Sequence, residues 1–212
     1  MNILVLGAGL VGRPAALDLA SDKNFRVTVV DNQTSAIDRF RDHPEIKCIR
    51  SDIGQASNIS KLCSGQDIVL SAVPGFMGYE TLKILIEEKK DVVDIAFSPE
   101  DVLQLDHLAR KYDVRVISDF GVAPGMSHLL AASSASKLDT VEKIVIYVGG
   151  LPKHPVKPWE YKAVFSPADV IEEYTRPARI IEDGEIKVVE ALSSLEELDF
   201  PNTGKLEAFI SD

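Results

Sequence analysis

The chain has 212 residues, a formal net charge of −10 and 45% hydrophobic residues. That length suits one large domain or one and a half, with enough apolar material for a real core. The acidity argues against a nucleic-acid or membrane-surface partner, since both favour a basic patch, and no apolar run reaches the roughly 18 residues of a membrane span.

The first twelve residues carry the strongest signal. A short apolar run, Ile3 to Leu6, leads directly into Gly7-Ala8-Gly9-Leu10-Val11-Gly12, and an Ala/Leu-rich helical stretch follows from Arg13 to Ala20. G-x-G-x-x-G between a strand and a helix is the dinucleotide-binding fingerprint in its required context. Gly7 makes the turn off the strand, Gly9 lets backbone approach a pyrophosphate, and Gly12 allows close packing of helix on strand. The N–H groups at the helix start, around Leu10 and Val11, face the phosphates. A second strand, Phe25 to Val30, ends at Asp31, 19 residues after Gly12. An acid there accepts from the adenosine ribose hydroxyls. Neither Asn32 nor Gln33 supplies an arginine for a 2′-phosphate, so NAD is expected rather than NADP.

Strand and helix patterns then alternate, which predicts a parallel sheet with helical crossovers. A polar helix is expected over 35–43, stopped by Pro44. A third strand over 46–50 closes on Ser51-Asp52-Ile53, where Asp52 and Ile53 border an adenine ring, or where Asp52 is simply a loop residue. A weak helix covers 58–64 and a fourth strand 68–72. The loop Ala72-Val73-Pro74 that follows lies where ribose and nicotinamide would pass. A helix over 78–88 contains Tyr79 and Lys83 at Y-x-x-x-K spacing, a match that any helix holding both residues produces by chance. A fifth strand over 91–95, a helix over 99–112 capped by Ser98, and a sixth strand over 114–118 complete a doubly wound domain.

The stretch Asp119-Phe120-Gly121-Val122-Ala123-Pro124-Gly125-Met126-Ser127-His128 places an acid, two glycines and a proline at the ligand edge, ahead of a helix running to about Lys137. From Thr140 the pattern changes. Val141 to Val148 alternates like a strand of a second sheet, and a proline-rich loop, a helix over 168–174 and short strands over 179–182, 186–189 and 206–210 follow, with a hairpin at Gly184. The expected fold is α/β: a Rossmann domain over 1–138, then an α+β domain over 139–212. Cys48 and Cys63 show neither metal spacing nor a disulfide framework, and Met1 runs straight into the first strand. A cytoplasmic protein with no signal peptide and no metal is therefore expected.

The later stretches are more specific than the fingerprint. Ser71-Ala72-Val73-Pro74, the G-x-x-P-G within Asp119 to Ala131, Gly149-Gly150-Leu151-Pro152, Trp159-Glu160-Tyr161-Lys162-Ala163-Val164-Phe165-Ser166 and Glu172-Glu173-Tyr174-Thr175-Arg176-Pro177-Ala178-Arg179 resemble the saccharopine dehydrogenase family, on its lysine-dehydrogenase side. Family members continue beyond the point matching Asp212, so the second domain is expected to be incomplete.

The resemblance implies an NAD-dependent oxidoreductase acting on the CH–NH2 group of an amino acid, most simply oxidative deamination of the lysine ε-amine to the semialdehyde. It also implies a homodimer or higher oligomer. Saccharopine or a carboxyspermidine-type secondary amine is the alternative substrate, and a dinucleotide-sensing module or a dimerisation scaffold is the alternative outside enzymes. Deprotonating an amine needs a base near neutrality. Asp119 could hold the substrate ammonium or cap the turn after it. His128 stands in the first turn of its helix and could equally be a surface residue. Lys162 could serve as the base if desolvated, beside Tyr161 and with Glu173 near the same cleft. Arg176 and Arg179 could bind the substrate carboxylate or pair with Glu172 or Glu173.

Overall fold

Short apolar runs build a parallel sheet from β1 (Asn2–Leu6), β2 (Arg26–Asp31), β3 (Lys47–Arg50), β4 (Ile68–Ser71), β5 (Asp91–Asp94) and β6 (Val116–Ile117). Its order is β3-β2-β1-β4-β5-β6, with every neighbouring pair parallel. The strand order reverses between β1 and β4, and in such sheets the crevice at that point, outside the carboxyl ends, receives the ligand. The computed structural model describes residues 1–201 and 203–211.

Successive strand residues point to opposite faces, and both faces are covered. Ile3, Val5, Val27 and Val29 pack with Ala16, Ala36 and Phe40, from α1 (Gly12–Ser21), α2 (Thr34–Asp38) and the turn after it. Leu4, Leu6, Val30, Val69 and Val92 pack on the other side with Ile59, Leu82, Leu85, Ile86 and Ala109. These last come from α3 (Ala56–Cys63), α4 (Gly75–Glu87) and α5 (Asp106–Tyr112). Strands buried on both faces read as continuous apolar runs, which is why they were visible in the sequence.

Several boundaries differ from expectation for local reasons. α2 ends at Asp38, well short of His43. α4 begins at Gly75, with Pro74 as its N-cap; a proline needs no N–H there and its fixed φ suits the entry. The helix expected from Pro99 instead starts with a single 3-10 turn, Val102–Leu105, continued by α5. Its cap is Asp101, whose carboxylate accepts from the Leu103 N–H at 3.1 Å, and not Ser98. β6 is only two residues long. After it, α6 (Met126–Ala135) follows the Gly121–Gly125 turn.

The chain divides into two compact units, Met1–Ile144 and Val145–Asp212. The second contains α7 (Pro167–Thr175), capped by the Ser166 hydroxyl, and a hairpin of β7 (Ala178–Glu182) and β8 (Glu185–Val189). The hairpin turns on Asp183 and Gly184, both at positive φ of 55° and 79°, the conformation that Asp-Gly adopts most readily in two-residue hairpins. β9 (Ser193–Phe200) and β10 (Gly204–Ile210) form a second antiparallel pair. β9 was not expected from the sequence. The strand expected over 141–148 does not form: those residues join no sheet, and Ile144 to Val148 are all exposed. Alternation makes a strand only where a neighbour supplies the ladder.

Candidate functional site

The glycine turn at the end of β1 separates two demands. Gly7 has φ of +95°, and a Cβ there would drive into the Ala72 carbonyl at the end of β4. A Cβ on Gly12 would drive into the Gly7 carbonyl. Both positions are sealed by packing of turn, helix and strand. Gly9 is different: a Cβ there would meet nothing within 4 Å, and it is exposed together with Leu10 and Val11. The backbone at Gly9 therefore faces open space at the N-terminus of α1, where helix N–H groups favour an anion.

Asp31, at the end of β2, is half-buried. One carboxylate oxygen accepts from the Ala8 N–H and the other from the Gln33 N–H, each at 2.8 Å. The acid thus braces the glycine turn while keeping lone pairs for further donors, because an ionised carboxylate has about four acceptor positions. Asn32 is exposed, and its carbonyl accepts from Arg50 Nε at 3.1 Å. Arg50 ends β3 and is the register partner of Asp31. No arginine stands in the two residues after Asp31, but the sheet delivers one from the neighbouring strand.

Beyond β3, Asp52 makes a local turn. Its carboxylate accepts from the Gly54 N–H at 2.9 Å and the Gln55 amide at 3.3 Å. Ile53 is 9% exposed and belongs to the core cluster, so it does not present an open face for a ring. Among Ala72, Val73 and Pro74, Val73 is buried, Ala72 half-buried and Pro74 exposed. Ala72 supports the turn through its contacts with Gly7 and Gly12.

The same sheet edge holds an acid that the sequence reading passed over. Asp94 ends β5 and is fully buried. Its pKa is pushed up from 3.8 to about 6, chiefly by burial and further by the charge of Asp119; the Ser71 hydroxyl and the Ala96 N–H oppose the shift. Ser71 is its register partner and lies close enough to favour the ionised form. Yet neither Ser71 Oγ nor Asp94 Oδ2 makes a hydrogen bond of ordinary length. A single Asp closing an apolar run looks like a strand end, and only the fold shows it enclosed. Asp119 follows β6, half-buried at φ of +52°, a conformation uncommon for a residue other than glycine. The Phe120 N–H donates to the Asp94 carbonyl at 3.1 Å, tying the two acids into one edge. The following turn closes on Gly125 at φ of +119°, where a Cβ would press on Gly121 and the Asp119 carbonyl.

His128 is exposed, and its Nδ1 accepts from the Gly125 N–H at 3.3 Å. The ring thereby caps α6, a duty not expected from the sequence, where the alternative to a catalytic role was a plain surface position. In the second unit Lys162 is exposed, so its own unit does not provide the burial that would make it a base. Tyr161 is half-buried; burial and the nearby Glu173 push its phenol up. Burial likewise raises the Glu173 carboxyl, with Asp169 adding to the shift. Arg176 pairs with Glu172 at 3.4 Å, one helical turn away, and Arg179 is exposed on β7. Asp119 and His128 thus belong to the first unit, and Tyr161, Lys162, Arg176 and Arg179 to the second.

A parallel sheet of this order with a glycine turn and an acid after β2 defines a Rossmann-type dinucleotide-binding domain. Residues 3–117 match the model of the saccharopine dehydrogenase NADP binding domain, and residues 121–211 that of the saccharopine dehydrogenase C-terminal domain. The chain belongs to the saccharopine dehydrogenase family. It is 27% identical over 192 residues to the mitochondrial alpha-aminoadipic semialdehyde synthase of Rattus norvegicus, covering 87% of this chain and 21% of that protein. It is 26% identical over 194 residues to the saccharopine dehydrogenase [NADP(+), L-glutamate-forming] of Saccharomyces cerevisiae, covering 89% of this chain and 44% of the relative. A solved apo structure of saccharopine dehydrogenase (L-Glu forming) from the same yeast superposes with a TM-score of 0.75 at 22% identity, over 99% of this chain and 49% of that one. This chain therefore spans less than half the length of the relatives it matches.

Proposed function

We propose that this chain binds a nicotinamide dinucleotide at the carboxyl edge of its sheet, preferring NAD, and serves oxidation of a carbon–nitrogen bond in a lysine-derived amino acid. The observation that carries the reading is the glycine turn: Gly7 and Gly12 are closed by packing while Gly9 is open, beside an acid at the end of β2 with acceptor capacity to spare. The residues present suit such a cofactor, which would supply a hydride acceptor. The chain's own groups bind and orient it. Gly9 and the start of α1 receive the pyrophosphate, and Asp31 receives the adenosine ribose.

On the substrate side, the amine must shed a proton before its carbon gives up hydride; water then converts the imine to an aldehyde and releases the nitrogen. Asp119, anchored beside buried Asp94, is the group we assign to the substrate nitrogen. Lysine is the substrate favoured by the stretches around Tyr161 and Arg176. The names of the curated relatives favour saccharopine, a secondary amine, as the second reading. NAD reduction measured on lysine, ornithine, saccharopine and short polyamines separates them. Reduction with lysine alone supports the first reading and with saccharopine alone the second, and a chain that binds NAD without reducing it on any substrate counts against both.

A further inference from the structure

Arg50 has no assigned purpose in the cofactor reading, yet the sheet puts it at the one place where cofactor choice is decided. Asp31 and Arg50 are register partners at the ends of β2 and β3, on strands about 4.8 Å apart. The Ser51 N–H continues the ladder to the Asp31 carbonyl at 3.1 Å, so the pairing is held past the last strand residue. The Arg50 side chain is exposed, and its Nε donates to the Asn32 carbonyl. That bond ties the guanidinium to the loop leaving β2. Among the described residues its terminal amino groups have no acceptor and no carboxylate pairs with it. Asp31 makes no ion pair with it; its two oxygens accept from backbone, one from Ala8 and one from Gln33.

An acid at the end of β2 receives the ribose 2′-hydroxyl, and an arginine nearby accommodates a 2′-phosphate. Here both are present, side by side. Asp31 alone would repel the roughly −1.5 to −2 charge of a phosphomonoester. Its repulsion is blunted by the two backbone N–H groups that it accepts from. Arg50 adds a full positive charge with a planar pair of free donors, the geometry that grips phosphate in bidentate fashion. We propose that Arg50 is a second determinant of cofactor choice: it gives a 2′-phosphorylated ribose a partner beside Asp31, so the chain takes both NAD and NADP and the preference between them is narrow. This rests on the reading that the dinucleotide binds at this edge.

The test is calorimetric titration of the whole chain with NAD and with NADP, wild type against Arg50→Gln and Arg50→Lys. Gln keeps an N–H donor for the Asn32 carbonyl but carries no charge; Lys keeps the charge but loses the planar fork. In wild type the two dissociation constants should lie within about tenfold. Arg50→Gln should weaken NADP about ten- to a hundredfold, the scale of lost charge-assisted hydrogen bonds, with NAD changed less than twofold and Arg50→Lys intermediate. An unchanged NADP affinity in Arg50→Gln, or equal losses for both nucleotides, overturns the assignment. So does a wild type that binds NADP more than a hundredfold weaker than NAD. If wild type binds NADP more tightly than NAD and Arg50→Gln still weakens NADP alone, the NAD preference proposed above fails and the Arg50 assignment stands. A chain that binds neither nucleotide overturns both.

Discussion

Replacing Asp94 by Asn should make the protein more stable at neutral pH and leave it little changed in acid. The carboxyl is fully buried and its pKa is raised from 3.8 to about 6, mainly by burial. Between those values the folded chain holds a proton that the unfolded chain has released. Stability therefore falls as pH rises through that window, and the full penalty is present above about pH 6. A shift of roughly two units at about 1.4 kcal/mol each sets the penalty at about 3 kcal/mol. Asn has nearly the same shape and no charge to desolvate, so it escapes the penalty. Urea unfolding of wild type and Asp94→Asn from pH 4 to 8 isolates this one group, because contributions of the other carboxyls cancel in the difference. The difference should grow by about 2–3 kcal/mol from pH 4 to 7 and then level off. A difference that stays flat across the range, or that grows toward acid, would refute the argument that Asp94 is enclosed without adequate partners.

Gly9→Ala should leave the urea midpoint unchanged, since its methyl meets no atom of the chain, yet weaken NAD binding by about tenfold or more, the effect of a steric misfit of 1–3 kcal/mol. Gly12→Ala should do the reverse and lower stability by at least that 1–3 kcal/mol, because its methyl strikes the Gly7 carbonyl; equal urea midpoints for the two variants would contradict the division of labour in the turn. Asp31→Ser combined with Asn32→Arg should move the preference toward NADP, read as a ratio of dissociation constants, and an unaltered ratio would remove Asp31 from the cofactor site. We expect the chain to self-associate, since β7–β8 and β9–β10 are two-stranded pairs with open edges that invite pairing; light scattering showing a monomer at working concentration would count against it.

The Rossmann half was legible because its signals are local. Strands buried on both faces are apolar runs, and the glycine turn has a fixed spacing. The remaining features depend on what lies across from a residue. Val141 to Val148 alternates well and forms no strand, lacking a neighbour to bond with. β9 was invisible for the opposite reason. Glu196, Glu197 and Asp199 disfavour a strand, but β10 supplies the ladder, and two of those charges find partners: Tyr147 donates to Glu196 at 2.8 Å and Lys205 pairs with Glu197 at 2.5 Å. Asp94 and Arg50 were missed likewise, since enclosure and register are properties of the sheet. The asparagines, glutamine and aspartates of the loops were legible as polar positions, but not as the particular bonds they make.

Asp31 also sets the terms on which this cofactor site could be redesigned. Its carboxylate joins the end of β2 to the turn after β1 through the Ala8 N–H, and to its own exit loop through Gln33. Each hydrogen bond to a charged acceptor contributes about 1.5–3 kcal/mol, a large share of the 5–15 kcal/mol by which a domain holds together. A library randomised at this position would accordingly be sorted by survival of the fold before any variant was compared for its choice of nucleotide. Swaps of preference should be recovered most readily in backgrounds stabilised elsewhere, and substitution of the buried carboxyl on β5 is the first such background to build.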